Sequence, residues 1–430
     1  MNASVAASIS YQALLCLRTW IGATLILAAL AASANLSAAE PPSLTLQTIM
    51  QLAEQNNPGL QASRDQLDIA RGVRRTAQAY PNPDVEIGMG PSRTRQSQGQ
   101  SGQNKIIGLS QPIEYPSVRE TRIRGAEAGI TATEAGFQSA RINFLAQIKN
   151  SFYDILRRQD ELQVAQENFN LLGQVRDRVK LRVNIGESPR YELVKAEAEL
   201  LGAAKNLESA ALRVDQAKDS LRNLIGPVLP EDFEVTGSLQ AGQPVPSLDT
   251  LRQELMVRSP DVAQSRAREE QARARLELER RLRMPQITVK GIVEDDPDLR
   301  NWRIGVSLPL PLWNRREGQI AEAAASLRQT QSLLGQQRLT LLREMEATYS
   351  NYLIANQQVA AFEGGLLKEA ESAVKVAEAA YRFGERGILD YLDALRVFRA
   401  VRQDFLAARY ELQTALIQIE RLRATDLAGE

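Results

Sequence analysis

Apolar and polar residues follow two different periods along this chain. Segments 44–55 and 58–79 are rich in Ala, Gln, Arg and Leu, as helices are. Pro58 suits the first position of the second helix, because the N–H that proline lacks would have no partner within the helix there. At 85–89 and 107–110 the period becomes two, because apolar residues alternate there with polar or small ones. The first part of the chain is therefore predicted to form two helices and then a pair of β-strands.

The second half repeats this order of patterns. Alternation with period two returns at 287–293 and 304–308, so each half is predicted to hold one strand pair, at 83–112 and at 285–310. Each strand has about the length that a tilted strand needs to cross a bilayer, roughly 9 to 11 residues. The polar stretches inside the two pairs are expected to be solvent-exposed loops.

A very long helical pattern follows each strand pair. Residues 117–184 and 314–383 contain neither proline nor a cluster of turn residues, and shorter return helices are predicted at 189–225 and 388–424. At 1.5 Å per residue, a helix of nearly 70 residues would be a rod of roughly 100 Å. Apolar residues recur three or four positions apart along it, so each rod requires partner helices along one stripe. A coiled-coil scaffold would explain these helices but not the strands between them.

Three pairs of similar segments occur in the same order in the two halves, at nearly one spacing. The matched positions are Gly108 with Gly305 and Pro112 with Pro309, both 197 residues apart, Pro58 with Pro260, and Gly186 with Gly384, 198 residues apart. Agreement of this kind indicates a tandem duplication. The stretch 226–247, rich in Pro and Gly, is predicted to link a first repeat at 40–225 to a second at 248–430.

Composition narrows the class of protein. The chain carries 52 basic and 52 acidic residues, so its formal charge of zero gives no general attraction to nucleic acid, and no nucleic-acid partner is expected. Near the N-terminus, Arg18 precedes the apolar run 21–32, which is too short to cross a bilayer as a helix. Small residues then offer cleavage after Ala34 or Ala39, so residues 1–39 are predicted to be a signal peptide.

Histidine is absent, and Cys16 is the only cysteine. Because Cys16 precedes the apolar run, the exported chain is expected to have no disulfide and no cysteine for a lipid anchor. Ser-His-Asp and Cys-His catalysis and His-ligated metal sites are excluded, so we expect no cofactor, no metal site and no enzyme activity. A secreted carbohydrate-active enzyme with a carboxylate pair is a distant alternative, because the acidic residues lie at intervals typical of solvated helix faces.

Four strands from one chain cannot close a barrel. Unpaired strand edges cannot face lipid, because nothing there forms hydrogen bonds with the backbone, so other chains must complete the wall if the strands lie in a membrane. Three protomers would supply twelve strands. The inward positions of these strands are polar or small, as a water-filled lumen requires, namely Glu86, Gly88, Ser110, Gly305 and Ser307.

The tandem halves, the strand pairs set between long helices and the export signal resemble the TolC family of outer-membrane efflux channels over essentially the whole mature chain. The stretch VSLPLPLWNRREGQI, residues 306–320, is similar to the strand-to-helix corner of the CzcC-like, heavy-metal-efflux branch. The resemblance implies a mostly α fold with a small β-barrel contribution. Four strands per protomer would complete a 12-stranded trimeric barrel joined to a long α-helical periplasmic tunnel.

The resemblance also implies partners and a function. The chain would be the exit duct of a tripartite efflux system, a homotrimer in outer-membrane lipid coupled through a periplasmic adaptor, or membrane fusion protein, to an inner-membrane pump of the RND type. The corner motif points to export of heavy-metal cations. The alternative is a periplasmic coiled-coil adaptor or scaffold protein, which would need an inner-membrane anchor or a lipoyl-like β-domain that the sequence does not offer.

The segment YRFGERGILDYLDALRVF, residues 381–398, interrupts a helical pattern with two glycines. Two helices that meet in a tight turn need a residue with φ > 0, and Gly384 and Gly387 can supply it. Gly186, followed by Pro189, can do the same in the first half. We therefore predict that each long helix turns back on itself at these glycines.

Asp390 and Asp393 follow this break in the first turn of the returning helix. Stabilisation of the helix N-terminus, worth about 0.3 to 1 kcal/mol for each, would be a sufficient reason for both. The resemblance adds another reason, because the family's aperture pattern Tyr-x-x-Gly-x-Arg-x-x-x-Asp-x-x-Asp matches Tyr381, Gly384, Arg386, Asp390 and Asp393 without a gap. In the family these aspartates constrict the closed end of the tunnel.

The resemblance thus implies three groups of site residues at the end of the tunnel that lies farthest from the strands. Asp390 and Asp393 would form the gate constriction, and Tyr381, Arg386, Glu192 and Tyr191 the latch that holds it shut. The tips on which an adaptor docks would be Ile185, Gly186, Pro189, Phe383, Gly384, Gly387 and Ile388. Six like charges around one axis would attract cations and repel anions.

Overall fold

The computed structural model describes residues 43–93, 101–239 and 245–424. The predicted signal peptide, most of the first strand loop and part of the predicted linker lie outside the described residues. In chain order, the helices are α1 Leu46–Asn56, α2 Pro58–Gln78, α3 Pro116–Asn184, α4 Arg190–Ile225, α5 Leu248–Arg258, α6 Pro260–Arg281, α7 Glu317–Ala361, α8 Leu367–Arg382 and α9 Ile388–Arg423. The strands are β1 Ser43–Leu44, β2 Asp84–Arg93, β3 Ser101–Ile113, β4 Glu234–Val235, β5 Ile287–Asp295 and β6 Arg300–Ser307.

The expectation of a mostly α chain with a small β contribution is confirmed. The longer strands form one antiparallel sheet in the order β2-β3-β5-β6. Gly108 on β3 lies opposite Glu86 on one side and Ile292 on the other, and Gly305 on β6 lies opposite Lys290. Along the described chain, the outer edges of β2 and β6 have no neighbouring strand.

The two faces of this sheet differ in chemistry. Apolar side chains on one face are largely exposed in the single chain, with Ile87 and Ile304 each 75% exposed and Val306 68% exposed. The alternate positions on the other face include Glu86 and Arg303. A sheet with one bare apolar face requires an apolar medium against that face.

Long helices continue from the sheet. Helix α3 has 69 residues, which at 1.5 Å per residue makes a rod of about 100 Å. It packs against α2, α4, α6 and α9, while α7 packs against α6 and α9. In the part of the chain that the structure describes, no helix is long and apolar enough to cross a membrane. Ion pairs add to the packing, because Arg402 of α9 lies 2.6 Å from Glu167 of α3 and Lys149 of α3 lies 2.8 Å from Glu420 of α9.

The second long helix differs from the prediction of one uninterrupted helix over 314–383. Helix α7 begins at Glu317, and a π-helical turn at Phe362–Leu366 separates it from α8. Gly365 has φ 150°, a conformation that is strained for residues with a Cβ atom. The glycine pair is the local reason for this kink, which prediction from the absence of proline misses.

The predicted linker also differs from a plain connection. Strand β4 pairs in parallel with β1, and Phe233 and Leu229 beside it are almost completely buried. These side chains join Ile49 of α1 and Leu221 of α4 in one hydrophobic core. Apolar residues at intervals within a Pro- and Gly-rich stretch therefore attach the described part of this segment to the middle of the helices.

The two glycines of the π-helical turn give a test of its backbone. Gly365→Ala is expected to reduce the free energy of unfolding by roughly 1–3 kcal/mol, because alanine is strained at φ 150°. Gly364→Ala is the matched control, since a Cβ atom at either glycine would meet open space. The control is expected to have no effect or to stabilise by up to about 1 kcal/mol.

Circular dichroism of the purified protein in a denaturant series measures both variants. An equal loss of stability in the two variants would contradict the conformation assigned to Gly365.

Candidate functional site

Both long helices end in the same kind of turn. Gly186 has φ 82° and Gly384 has φ 74°, so each takes the left-handed conformation just beyond a helix. The Glu187 N–H donates to the Arg182 carbonyl at 2.8 Å, and the Glu385 N–H donates to a carbonyl in the last turn of α8 at 2.9 Å. These bonds are the Schellman arrangement that satisfies the last carbonyl groups of a helix.

Gly387 does not supply the positive φ that the sequence predicts for it. It has φ −76° and ψ 165°, an extended conformation, and it precedes the first residue of α9. Pro189 holds the same place before α4, with φ −70° and ψ 145°. One left-handed glycine is enough for each turn, because the Schellman bonds already reverse the chain.

A single hydrophobic core joins the two turns. It contains residues from α3, α4, α8 and α9, including Val179, Ala196, Tyr381, Ile388 and Tyr391. The rings of Tyr381 and Tyr391 are stacked with centroids 6.2 Å apart. Four helix ends are therefore held as one body, which we call the tip.

Ile388 is a predicted docking residue that the structure places inside the tip. It is 0% exposed, so it supports the turn from within and cannot present its side chain to a partner in this conformation. Phe383 and Ile185 are the opposite case, since they are 80% and 61% exposed. The apolar surface of the tip is thus formed by the residues that end the long helices.

Arg182 is a site residue that sequence reasoning missed. Its Nη1 donates to the Tyr381 carbonyl at 3.2 Å, its guanidinium lies 5.0 Å from the centre of the Tyr381 ring, and its Nε lies 3.6 Å from a Glu187 carboxylate oxygen. It therefore ties the first turn to the end of α8 by a hydrogen bond and a cation–π contact. No local pattern marks it, because its partner is about 200 positions away in the chain.

The two aspartates lie on one exposed face of α9. The side chains of Asp390 and Asp393 are 55% and 70% exposed. Arg386 Nη1 lies 3.7 Å from Asp390, and Arg396 Nη1 lies 3.5 Å from Asp393. Such exposed ion pairs contribute little to stability, and both carboxylates remain in contact with solvent at the surface of the tip.

The predicted latch residues are only partly brought together. Arg386, in the turn before α9, pairs with Asp390 of that helix. Tyr191 is 58% exposed beneath the Lys195 ammonium, which lies 5.8 Å from the centre of its ring. In the described chain the Tyr381 hydroxyl and the Glu192 Oε2 are buried without a hydrogen-bond partner. Buried polar atoms normally have partners, so this pair needs an explanation.

Tyr391 is a neutral residue in the core of the tip. Burial raises the pKa of the Tyr391 phenol, and the nearby Glu378 carboxylate raises that pKa further. Glu378 itself accepts a hydrogen bond at 3.0 Å from Arg178 of α3. Tyr391 therefore remains protonated across the physiological range and adds no charge to this core.

Comparisons with known proteins agree with this architecture. A family model described as "Outer membrane efflux protein" matches residues 49–227 and 251–425. The cobalt-zinc-cadmium resistance protein CzcC of Cupriavidus metallidurans is 28% identical over 383 residues, covering 88% of this chain and 90% of that protein. The outer membrane protein TolC of Vibrio cholerae is 22% identical over 409 residues, covering 88% of this chain and 90% of that protein.

A solved structure has the same fold. The structure of CusC, reported in connection with folding and transmembrane channel formation, superposes with a TM-score of 0.74 at 20% identity. It covers 88% of this chain and 91% of the CusC chain.

The contacts of Arg182 predict a local effect of its removal. Arg182→Ala is expected to speed amide hydrogen exchange at residues 380–387 by about tenfold, since a hydrogen bond from a charged donor is worth about 1.5 kcal/mol or more. Arg190→Ala is the matched control, because Arg190 is an exposed arginine of the same turn.

Exchange measured by mass spectrometry on the full chain separates the two variants. Unchanged exchange at residues 380–387 in Arg182→Ala would show that the bond to the Tyr381 carbonyl does not hold the tip.

Proposed function

We propose that this chain, which belongs to the outer membrane efflux protein family, is the exit duct of a tripartite efflux system. As a member of the TolC family it is an outer-membrane efflux channel. To this the proposal adds an assembly of three copies, an acidic gate and a class of transported substrate. Three copies would conduct substrate passively from an inner-membrane pump and a periplasmic adaptor to the outside, with no catalysis by the channel.

The observation that carries the proposal is a four-stranded sheet with two open edges and one bare apolar face. The edge groups of β2 and β6 need hydrogen-bond partners, and the face that bears Ile87 and Ile304 needs lipid. Three such sheets make a closed wall of twelve strands, which satisfies both needs at once. Outer-membrane lipid and two further copies of the chain are then the immediate partners.

The long helices are the evidence for the proposed tunnel. Helix α3, and α7 followed by α8, lead from the sheet to the tip, while α4 and α9 return from the tip alongside them, and three sets of these helices would enclose a tunnel. Exposed leucines along these rods favour packing between copies, for example Leu201, Leu333 and Leu339, which are 72%, 52% and 58% exposed. A periplasmic scaffold would need no sheet of this kind.

The acidic gate is proposed from the position of α9. Asp390 and Asp393 share an exposed face at the end of the tunnel, and threefold repetition would bring six carboxylates to one constriction. Like charges held close together attract cations and repel anions. The Tyr381 hydroxyl and the Glu192 Oε2, which are buried without a hydrogen-bond partner among the described residues, would find partners in the closed latch, together with Tyr191 and Arg386.

The tip is proposed as the docking surface for the adaptor. Phe383 and Ile185 are exposed at the two turns, next to the backbone of Gly186, Gly384 and Gly387. An exposed apolar patch of this kind favours a protein partner. The pump beyond the adaptor is proposed to be of the RND type, by the family resemblance.

Divalent metal cations are the cargo class that the relationship to CzcC supports. The chain has no histidine, and its only cysteine lies in the predicted signal peptide, so the duct lacks the imidazole and thiolate ligands that hold such metals tightly. Weak binding suits a passive duct, because a cation that binds tightly would not leave. Selection of the metal is therefore assigned to the pump.

Detergent extraction tests the assembly. The chain is expected in the outer-membrane fraction, and the purified particle is expected to have the mass of three protomers. A soluble, detergent-free single copy would overturn the proposed function.

Single-channel recording tests the gate. Asp390→Asn combined with Asp393→Asn is expected to lower the preference for cations over anions and to raise conductance, because six charges leave the constriction. Glu385→Gln is the matched control, an exposed acid of the same turn that lies outside the constriction.

The gate assignment fails if the double variant keeps the conductance and the cation preference of the wild type. Recordings with Zn²⁺ or Co²⁺ as the main cation test the cargo class, and a wild-type channel that passes neither ion would contradict it.

A further inference from the structure

The two strand pairs of the sheet have equivalent registers. Gly108 on β3 lies opposite Glu86 on β2, and its counterpart Gly305 on β6 lies opposite Lys290 on β5. Glu86 and Lys290 are therefore equivalent positions in two hairpins that follow each other around the wall.

One junction between hairpins exists within the chain. Strand β3 pairs with β5 so that Gly108 lies opposite Ile292, two residues beyond Lys290. If the next junction repeats this geometry, Gly305 lies opposite the residue two positions beyond Glu86. That residue is Gly88.

We propose that β6 of one copy pairs antiparallel with β2 of a second copy of this chain, in the register that places Gly305 opposite Gly88. The inference rests on the proposed function, because it requires copies of the chain to close the wall. In this register Val306 lies opposite Ile87 and Ile304 lies opposite Met89. Every residue of β6 then lies opposite a residue within Asp84–Arg93.

The faces of the two strands agree with this register. Side chains alternate between the faces of a strand, so a shift by one residue would place an apolar side chain of β6 beside a polar one of β2. Val306, Ile87 and Met89 are 68%, 75% and 73% exposed, and the register places all three on the lipid face. On the lumen face, Ser307 lies opposite Glu86, where its hydroxyl can donate to the carboxylate.

Strand tilt excludes the next shorter register. Following the pairings from Glu86 across the sheet leads to Arg303, and the proposed junction leads on to Gly90 of the next copy. From Glu86 to Gly90 the register advances by four residues, which is about 13 Å along the strands. The four strand spacings crossed on the way add up to about 19 Å. The tilt is then about 35°, at the lower end of the range for closed barrels.

A register two residues shorter would tilt the strands by about 20°, well below that range. A register two residues longer would give about 46°, at its upper end. The equivalence of the hairpins therefore decides between the longer register and the proposed one, and it favours the one with Gly305 opposite Gly88.

Disulfide cross-linking in a Cys16→Ser background tests the register. Val306→Cys is combined in turn with Ile87→Cys, with Val85→Cys and with Met89→Cys, three exposed apolar positions on the same face of β2. Directly opposite Cβ atoms are about 4.5–5.5 Å apart, whereas the next positions on that face lie about 6.6 Å further along the strand. Only the opposite pair is within reach of a disulfide.

Ile107→Cys with Val293→Cys is the positive control, because these residues lie opposite each other on β3 and β5 within one chain. Strands β2 and β6 lie at opposite edges of the sheet, so a bond between them must join two copies. The full-length protein is oxidised mildly in outer membranes and separated on a non-reducing gel.

Val306→Cys with Ile87→Cys is expected to give disulfide-linked products up to the mass of three copies, at a rate at least about tenfold above the two shifted pairs. Faster linkage in either shifted pair, or no linkage in any pair of a three-copy particle, would overturn the register and leave the trimeric duct standing. A particle that contains a single copy would instead overturn the proposed function.

Discussion

Along the outer edges of β2 and β6, two rows of backbone N–H and C=O groups face no neighbouring strand among the residues that the structure describes. In hydrocarbon each such group costs several kcal/mol, far more than exposed side chains could offset. The apolar face of the same sheet needs a lipid environment, so the strands cannot avoid the problem by staying in water. The proposed joining of copies would meet both demands, and the helices attached to the strands would then take the symmetry of that ring.

The helical part is held by a series of separate cores instead of one. Ile49, Phe233 and Leu221 anchor the middle of the molecule, while Tyr381 and Tyr391 belong to a distinct core at the tip. Helices α3, α4 and α9 take part in both cores, and along α3 the stretch from Leu156 to Leu172, about 24 Å at 1.5 Å per residue, separates them. Local repacking at the tip can therefore accompany the proposed gating without disturbing the sheet.

Much of the fold follows from the sequence because its signals are local. Alternation around Ile87 and Ile304 marks strands, and Gly186 and Gly384 end the long helices wherever those helices are placed. The exceptions depend on contacts between distant segments. The burial of Ile388, the bonds of Arg182 and the packing of Phe233 are set by partners in other helices, which no window of sequence contains. The roles of Asp390 and Asp393 rest on the family pattern, since helix-end stabilisation explains the same two residues.

The π-helical turn at Phe362–Leu366 coincides with a difference in length between the two halves of the chain. Gly108 and Gly305 are 197 residues apart, whereas Gly186 and Gly384 are 198 residues apart, so the second half carries one extra residue between strand and turn. A π turn accommodates one residue more than an α turn, as the Leu367 N–H bond to the Phe362 carbonyl shows. The widened turn takes up this residue, so α8 avoids the rotation of about 100° that one added residue would cause in an unbroken α-helix. The two halves therefore keep matching turns at Gly186 and Gly384 although they differ in length, and the widened turn between α7 and α8 is the structural trace of that difference.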